Sequence, residues 1–329
     1  MKNLAKISFS LFMAAFMLAG LLGCAPQKEP IRIAISAWAG VEPAELAAQL
    51  GYYKKHGVEV EMVRFSVYGD SIDALRDGKV DAGMHTLDDV VRYSASGRDV
   101  RTVLLTDYSA GSDGLVAKAG IETLADLKGA RLGVEVGTVG HFSALTILEK
   151  AGLKISDVTI ISIPAWEIQQ AMLGDKIDAG VTWEPYLTST AKMINGKVLI
   201  TSRDYPETII TTMTFDAKVI ADRPEDVQKV VAAYFDALEY MKQNPQDAYT
   251  RMGKAEGVSA DDFAQSVTGI QYLDLGMNAD LFGQNADGRI YAKTQQIKKF
   301  LFDNQVIKTT PDVNLMFAPQ FVYQLSKSQ

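Results

Sequence analysis

Two stretches of this sequence nearly repeat each other: "KVDAGMHTLD" (Lys79–Asp88) and "KIDAGVTWEP" (Lys176–Pro185). Each is Lys, a β-branched residue, Asp-Ala-Gly, and then residues suited to touching a ligand. Reading outward, both sit in the same order of elements. The first copy begins with "IRIAIS" (31–36), a β-branched run typical of a buried strand. It continues through "EPAELAAQLGYYKKHG" as helix, "VEVEMVRF" as strand and "DSIDALRDG" as helix, and closes on the "KVDAGMHT" strand. Pro43 suits a first helical turn and Gly57 an exit. The second copy runs "RLGVEV", "GTVGHFSALTILEKAG", "VTIISIP", "AWEIQQAMLGD" and "KIDAGVTW". Arg32 and Arg131 open the two copies, and Lys79 and Lys176 lie near their ends. Two copies of this size are too long for a solenoid repeat. Alternating strands and helices joined by short loops predict a largely parallel sheet covered on both faces. The expectation is therefore an α/β protein of two similar lobes, with the repeat marking one cleft wall in each.

The chain has 329 residues, of which 47% are hydrophobic and 22% charged, enough for two ordinary domains. A net charge of −7 and no basic block argue against nucleic acid as a partner. Lys2 and Lys6 precede an apolar run from about Ile7 to Leu22, which reads as a secretory signal over residues 1–23. Residues 24–30 then form a polar tether. Lobe 1 is expected over 31–112 and lobe 2 over 113–218, with hinge strands at both ends ("DGLVAKAG", 113–120, and "IITTMTFDAKV", 209–219). The part from 219 to 329 reads as helical and is expected to pack back on lobe 1. In it, "DRPEDVQKVVAAYFDALEYMKQNP" is amphipathic, with Pro224 near its start.

Open parallel sheets bind ligands beyond the carboxyl ends of their strands. The residues there are Trp38 and Gly40 after the first strand, Thr86 and Asp88 after the third, and Asp107, Ser109 and Asp113 around the fourth. In the second lobe they are Gly137, Thr138, Trp166, Trp183 and Glu184. All three tryptophans fall at strand ends, and Trp38 and Trp183 occupy matching ends of the two lobes. Each suits a cleft lining, and each also suits core packing. "GTVGH" opens a helix, so its free N–H groups suit an anion, or Thr138 simply caps it. Asp88 suits the cleft or its helix's first turn. Two or more carboxylates facing the cleft would exclude a bare anion and favour a ligand with an amine or several N–H donors. His56, His85 and His141 show no metal-ligand spacing. No G-x-S-x-G elbow is present, so neither a catalytic residue nor a cofactor is expected.

The stretches "GYYKKHGVEVEMVRF", "LRDGKVDAGMHT", "TLADLKGARLGVE" and "DAGVTWEPY" together resemble the nitrate/sulfonate/taurine (NMT1/THI5-like) family of ABC-importer substrate-binding proteins, over about residues 31–245. The resemblance implies a periplasmic-binding-protein type II fold: two lobes, each a mostly parallel sheet flanked by helices, closing on one small molecule. It also implies an ABC permease and ATPase as partners and a monomeric binding protein. The ligand is left open between a sulfonate or taurine-like molecule and a small nitrogen-containing heterocycle. "LLGC" resembles a bacterial lipobox, which implies cleavage before Cys24, the only cysteine, and lipid on that residue. Several acyl chains would anchor it firmly, at the cell surface or, in a two-membrane cell, on the periplasmic side. Two other functions fit the same fold. One is a sensory receptor whose closed form signals to a membrane partner. The other is an enzyme, although the cysteine-rich motif of the yeast-type pyrimidine synthases is missing.

Overall fold

The computed structural model describes residues 28–283 and 287–327. The signal sequence and Cys24 lie outside the described residues. Eleven strands are described: β1 (Ile31–Ser36), β2 (Val60–Phe65), β3 (Ala82–Thr86), β4 (Val100–Ser109), β5 (Asp113–Ala117), β6 (Arg131–Val134), β7 (Thr159–Ser162), β8 (Ala179–Trp183), β9 (Lys197–Thr201), β10 (Ile210–Asp216) and β11 (Ile270–Tyr272). They form two sheets, with strand orders β11-β4-β10-β3-β1-β2 and β7-β6-β8-β5-β9.

The repeat is visible in the strand order. β2-β1-β3 and β7-β6-β8 are the same three-stranded parallel core, built twice. The remaining pairings are antiparallel, with β5, β10 and β11 running against the parallel cores and β4 and β9 running with them, so both sheets are mixed. The strands next to each crossing enter their sheets in the reverse direction, which alternation of helices and strands could not show. β10 pairs with β3 and β4 inside the first sheet. The return crossing is accordingly 202–209, just before the 209–219 stretch proposed from sequence. The outward crossing is only 110–112. The two crossings are tied together: Ser109 and Ser202 hydroxyls lie 2.7 Å apart, and the Gly111 N–H donates to Ser202 Oγ at 2.7 Å.

The Lys-x-Asp-Ala-Gly motif holds the parallel strands in register. Asp81 accepts the N–H of Arg32 at 2.8 Å, and Asp178 accepts the N–H of Arg131 at 2.9 Å. The backbone returns each bond, from Asp81 N–H to Arg32 O and from Asp178 N–H to Arg131 O. Arg131 adds a second, ionic contact to Asp178 at 2.6 Å, which holds that carboxyl down at about 2. Gly180 follows because a Cβ there would sit 2.5 Å from Ile168 Cγ2. These groups lie at the amino ends of their strands. The motif itself is therefore a strand clamp, and only the residues after it reach the cleft.

After β10 the chain is mainly helical and covers the first sheet. The helix Pro224–Gln243 buries Val227, Val230, Val231, Tyr234, Ala237 and Leu238 in the same core as Ile33, Ile35, Leu104 and Phe215. β11 adds the edge strand beside β4. The second sheet has its own apolar layers, one around Leu132, Val134, Ile147 and Leu148 and another around Val116, Ile168 and Ile177.

Candidate functional site

A cavity with about 370 Å³ of empty space lies where the carboxyl ends of both parallel cores meet. Part of that space opens to solvent. The first lobe contributes Ser36, Ala37, Trp38, Val41, Tyr68, Met84, Thr86 and Thr211, the second Asp113, Val139 and Trp183, and the return crossing Ile209.

Four contacts bridge the lobes. Trp183 Nε1 donates to Ala37 O at 3.0 Å, and the Trp183 ring meets Tyr68 edge-on with centroids 6.0 Å apart. Glu135, at the end of β6, accepts the Gly69 N–H at 2.8 Å from the other lobe and the Ala165 N–H at 3.2 Å from its own. Burial raises the Glu135 carboxyl, and those two N–H groups act against the rise. Phe142 and Phe300 form a further edge-on pair at 5.5 Å.

Of the residues singled out from sequence, Trp38, Thr86, Asp113 and Trp183 line the cavity. Asp107 lies one layer behind. It accepts from Trp38 Nε1 at 3.2 Å, Thr106 Oγ1 at 2.8 Å and Thr211 Oγ1 at 3.2 Å, and burial pushes it up to about 6. Gly40 is part of the same support: a Cβ there would come within 2.2 Å of Trp38 Nε1 and 2.3 Å of Asp107 Oδ2. Only glycine leaves room for that hydrogen bond.

The structure turns the other singled-out residues to different tasks. Asp88 sits in the first turn of the helix Leu87–Ala95 and pairs with Arg92 at 2.6 Å, away from the cavity wall. Glu184 accepts from the N–H and hydroxyl of Thr188, at 3.2 and 2.8 Å, and so steadies the following helix. Ser109 belongs to the hinge. Thr138 caps the helix Val139–Lys150 through Gly140 N–H at 3.1 Å, and Gly137 is an exposed turn residue with φ +88°. Trp166 is 45% exposed and stands outside the lining.

Sequence reading did not single out Tyr68, Val139, Thr211 or Ser36, although Val139 lies in the "GTVGH" helix start and Ser36 ends the first strand. Tyr68 had a signal, because it follows β2 just as Trp38 follows β1. Thr211 had none, because it enters from the start of an antiparallel strand. Asp113 is the one carboxylate on the wall. It is 5% exposed, and its Oδ2 has no hydrogen-bond partner among the described residues. Burial pushes this carboxyl up to about 7; Ser109 opposes the rise, while Asp107, Asp88 and Glu184 add like charge. His85 packs as a core residue between Ser71 Oγ at 3.1 Å and Tyr93 Oη at 3.0 Å, with burial holding it down to about 4.

A sequence profile described as "NMT1/THI5 like" matches residues 40–248. The chain is similar to the taurine-binding periplasmic protein of Escherichia coli, at 26% identity over 78% of this chain and 83% of that one. It is also similar to the 4-amino-5-hydroxymethyl-2-methylpyrimidine phosphate synthase of Schizosaccharomyces pombe, at 31% identity over 42% of this chain and 40% of that one. In structure it matches the periplasmic aliphatic sulphonate binding protein SsuA of Escherichia coli, with TM-score 0.72 and 19% identity, covering 89% of this chain and 93% of that one.

Proposed function

This chain belongs to the NMT1/THI5-like family, and from that premise we propose that it is the solute-binding lipoprotein of an ABC importer. It captures one small organic molecule between its lobes and delivers it to a membrane permease. The observation that carries this reading is the cavity at the meeting of two clusters of strand ends, bridged by Trp183 to Ala37 and by Glu135 to Gly69. Only two chain segments cross between the sheets, so hinge movement about 110–112 and 202–209 opens and closes it. Closure completes the Glu135 bridge, and the surface around it then differs between loaded and empty protein. A permease recognising that surface would engage only loaded protein.

Export and lipid attachment at Cys24 complete the reading. No helix of the described residues is long and apolar enough to cross a membrane, so the acylated cysteine would hold the protein at the membrane. Cys24→Ala is expected to shift the protein from the membrane fraction to the soluble one.

The test of the main reading is thermal unfolding of the full lipoprotein in detergent against taurine, alkanesulfonates, nitrate, bicarbonate, amino-pyrimidines and small amines. A ligand at a hundred times its Kd adds roughly 2.7 kcal/mol, which raises Tm by roughly 5 °C or more in a protein of this size. Loss of the shift in Trp183→Ala places the ligand in the cavity. Recovery of a chemically altered ligand would instead favour the enzyme reading that the yeast synthase similarity keeps in play.

A further inference from the structure

We infer that the cavity is built for a small organic ammonium ion carrying no acid group, held at the Asp113 carboxyl and bordered by Trp38, Trp183 and Tyr68. This rests on the solute-binding reading and narrows its ligand class.

The lining side chains that can donate a hydrogen bond are almost all turned to acceptors in the protein. Trp38 Nε1 and Thr211 Oγ1 both donate to Asp107 Oδ1, each at 3.2 Å. Trp183 Nε1 donates to Ala37 O at 3.0 Å. Thr86 Oγ1 donates to Asp89 Oδ2 at 2.7 Å, and the Tyr68 hydroxyl donates to the same oxygen. An indole has one N–H and a hydroxyl one O–H, so these groups have no further proton to offer. Among the described lining side chains the donors that remain are the Ser36 hydroxyl, which accepts as readily as it donates, and the Asp113 carboxyl when it carries a proton.

The charges agree with the hydrogen bonds. No Lys, Arg or His lines the cavity. Asp113 is on the wall, and Asp107 and Asp89 lie directly behind lining residues. The nearby base Arg92 is ion-paired with Asp88 and Asp89. Arg203, beside Gly111 at the hinge, is exposed to solvent. A sulfonate or nitrate in this space would meet carboxyl groups and side-chain donors that are mostly spent. The sulfonate of a zwitterion such as taurine would have no cationic host either.

An ammonium ion reverses each of these terms. Its N–H groups can give the Asp113 carboxyl, which lines the cavity with one oxygen unpartnered, a charge-assisted bond. Two indoles and a phenol lie on the wall, and an aromatic ring attracts a cation placed over its face. A buried carboxylate is costly without a partner, so the empty site favours the protonated carboxyl and an ammonium ion allows it to ionise as a pair.

The test is titration calorimetry on the full lipoprotein in detergent, with matched probes of different charge. The cations are propylammonium, benzylammonium and tetramethylammonium; the neutral probes are propanol and benzyl alcohol; the anions are ethanesulfonate and nitrate, with taurine as the zwitterion. At least one ammonium ion is expected to bind more tightly than its neutral analogue, and the anions and taurine to be silent. Asp113→Asn is expected to weaken the ammonium ion roughly 10- to 100-fold. The comparison of charges in the wild-type protein decides the matter even if that variant fails to fold. Binding of ethanesulfonate or taurine, unchanged or tightened by Asp113→Asn, overturns the ammonium assignment and leaves the solute-binding reading standing. If no ammonium ion binds, the assignment is overturned as well. If in addition no probe of any charge binds and no small molecule is retained on native mass spectrometry, the solute-binding reading falls with it.

Discussion

The two ends of the second sheet hold buried or half-buried aspartates in opposite electrostatic states. At one end Asp178 is gripped by Arg131, through its backbone N–H at 2.9 Å and its guanidinium at 2.6 Å, and its carboxyl is held at about 2. At the other end Asp113 sits opposite Trp183 in the β5–β8 register, with an unpartnered oxygen and a carboxyl pushed up to about 7. The first aspartate spends its charge on the fold. The second has no partner for its charge, so its ionisation costs stability, and a carboxyl shifted in this way beside a cavity is a candidate ligand contact. The first lobe repeats the pattern: Asp81 clamps Arg32 at the amino end, and Thr86 and Trp38 face the cavity at the other. Repetition in the sequence tracks the clamp, and the residues that diverge after it form the cavity wall.

The largest effect is expected from breaking the cavity end through its least conspicuous member. Gly40→Ala places a methyl within 2.3 Å of both Trp38 Nε1 and Asp107 Oδ2. Overpacking of this kind costs about 1–3 kcal/mol, and Trp38 must also swing away from its acceptor. Ligand affinity measured by calorimetry should fall by roughly tenfold or more. Unchanged affinity would show that Trp38 is not held where the ligand needs it.

Breaking the clamp end should do the reverse. Asp178→Ala removes the acceptor of the Arg131 N–H and is expected to cost about 1–3 kcal/mol, seen as a fall of a few degrees in Tm, with ligand affinity unchanged. The two ends should also answer pH with opposite signs. The folded Asp178 carboxyl lies below the usual value of about 3.9, so its stabilisation is present above about pH 4 and is lost as pH falls through about 2. Asp178→Asn should therefore lower Tm at neutral pH, and the difference should shrink in strong acid. The folded Asp113 carboxyl lies above the usual value, so its contribution is intact below about pH 4 and is lost as pH rises through about 7. Asp113→Asn should then raise the Tm of ligand-free protein increasingly between those values. A parallel response of the two variants would refute the contrast.

The smallest effect concerns a helix start that offers a rival anion site. Thr138→Ala removes the cap on Gly140 N–H and should cost about 1 kcal/mol without moving ligand affinity. A marked loss of affinity for an anion would return the Gly137–Thr138 turn to the binding site.

Much of the architecture was legible before any coordinates. Hydrophobic periodicity and the repeated order of elements announced two lobes, because one-dimensional pattern reports which local segments must bury a face. The strand-end rule found Trp38, Thr86 and Trp183, since parallel strands carry their carboxyl ends to one edge, and it reached Asp113 only because the short crossing after β4 places the start of antiparallel β5 there. The same rule applied to β2 would have added Tyr68. Direction was hidden: β5 and β10 read as strands, but nothing local says that they enter antiparallel, and so Thr211 and Ile209 at the wall could not be foreseen.

Chemistry at the cavity was hidden for a related reason. Asp88, Asp107, Asp113 and Glu184 look alike in sequence, since each is a carboxylate near a strand end. Their roles depend on partners distant in the chain or on the local turn that forms. Arg92 takes Asp88, Thr188 takes Glu184, and Trp38 with Thr211 takes Asp107. The sequence by itself determined that two clamped α/β units bring their strand ends into play. Only the tertiary structure decided which carboxylate is left without a partner, because a hydrogen bond is satisfied in space and not along the chain.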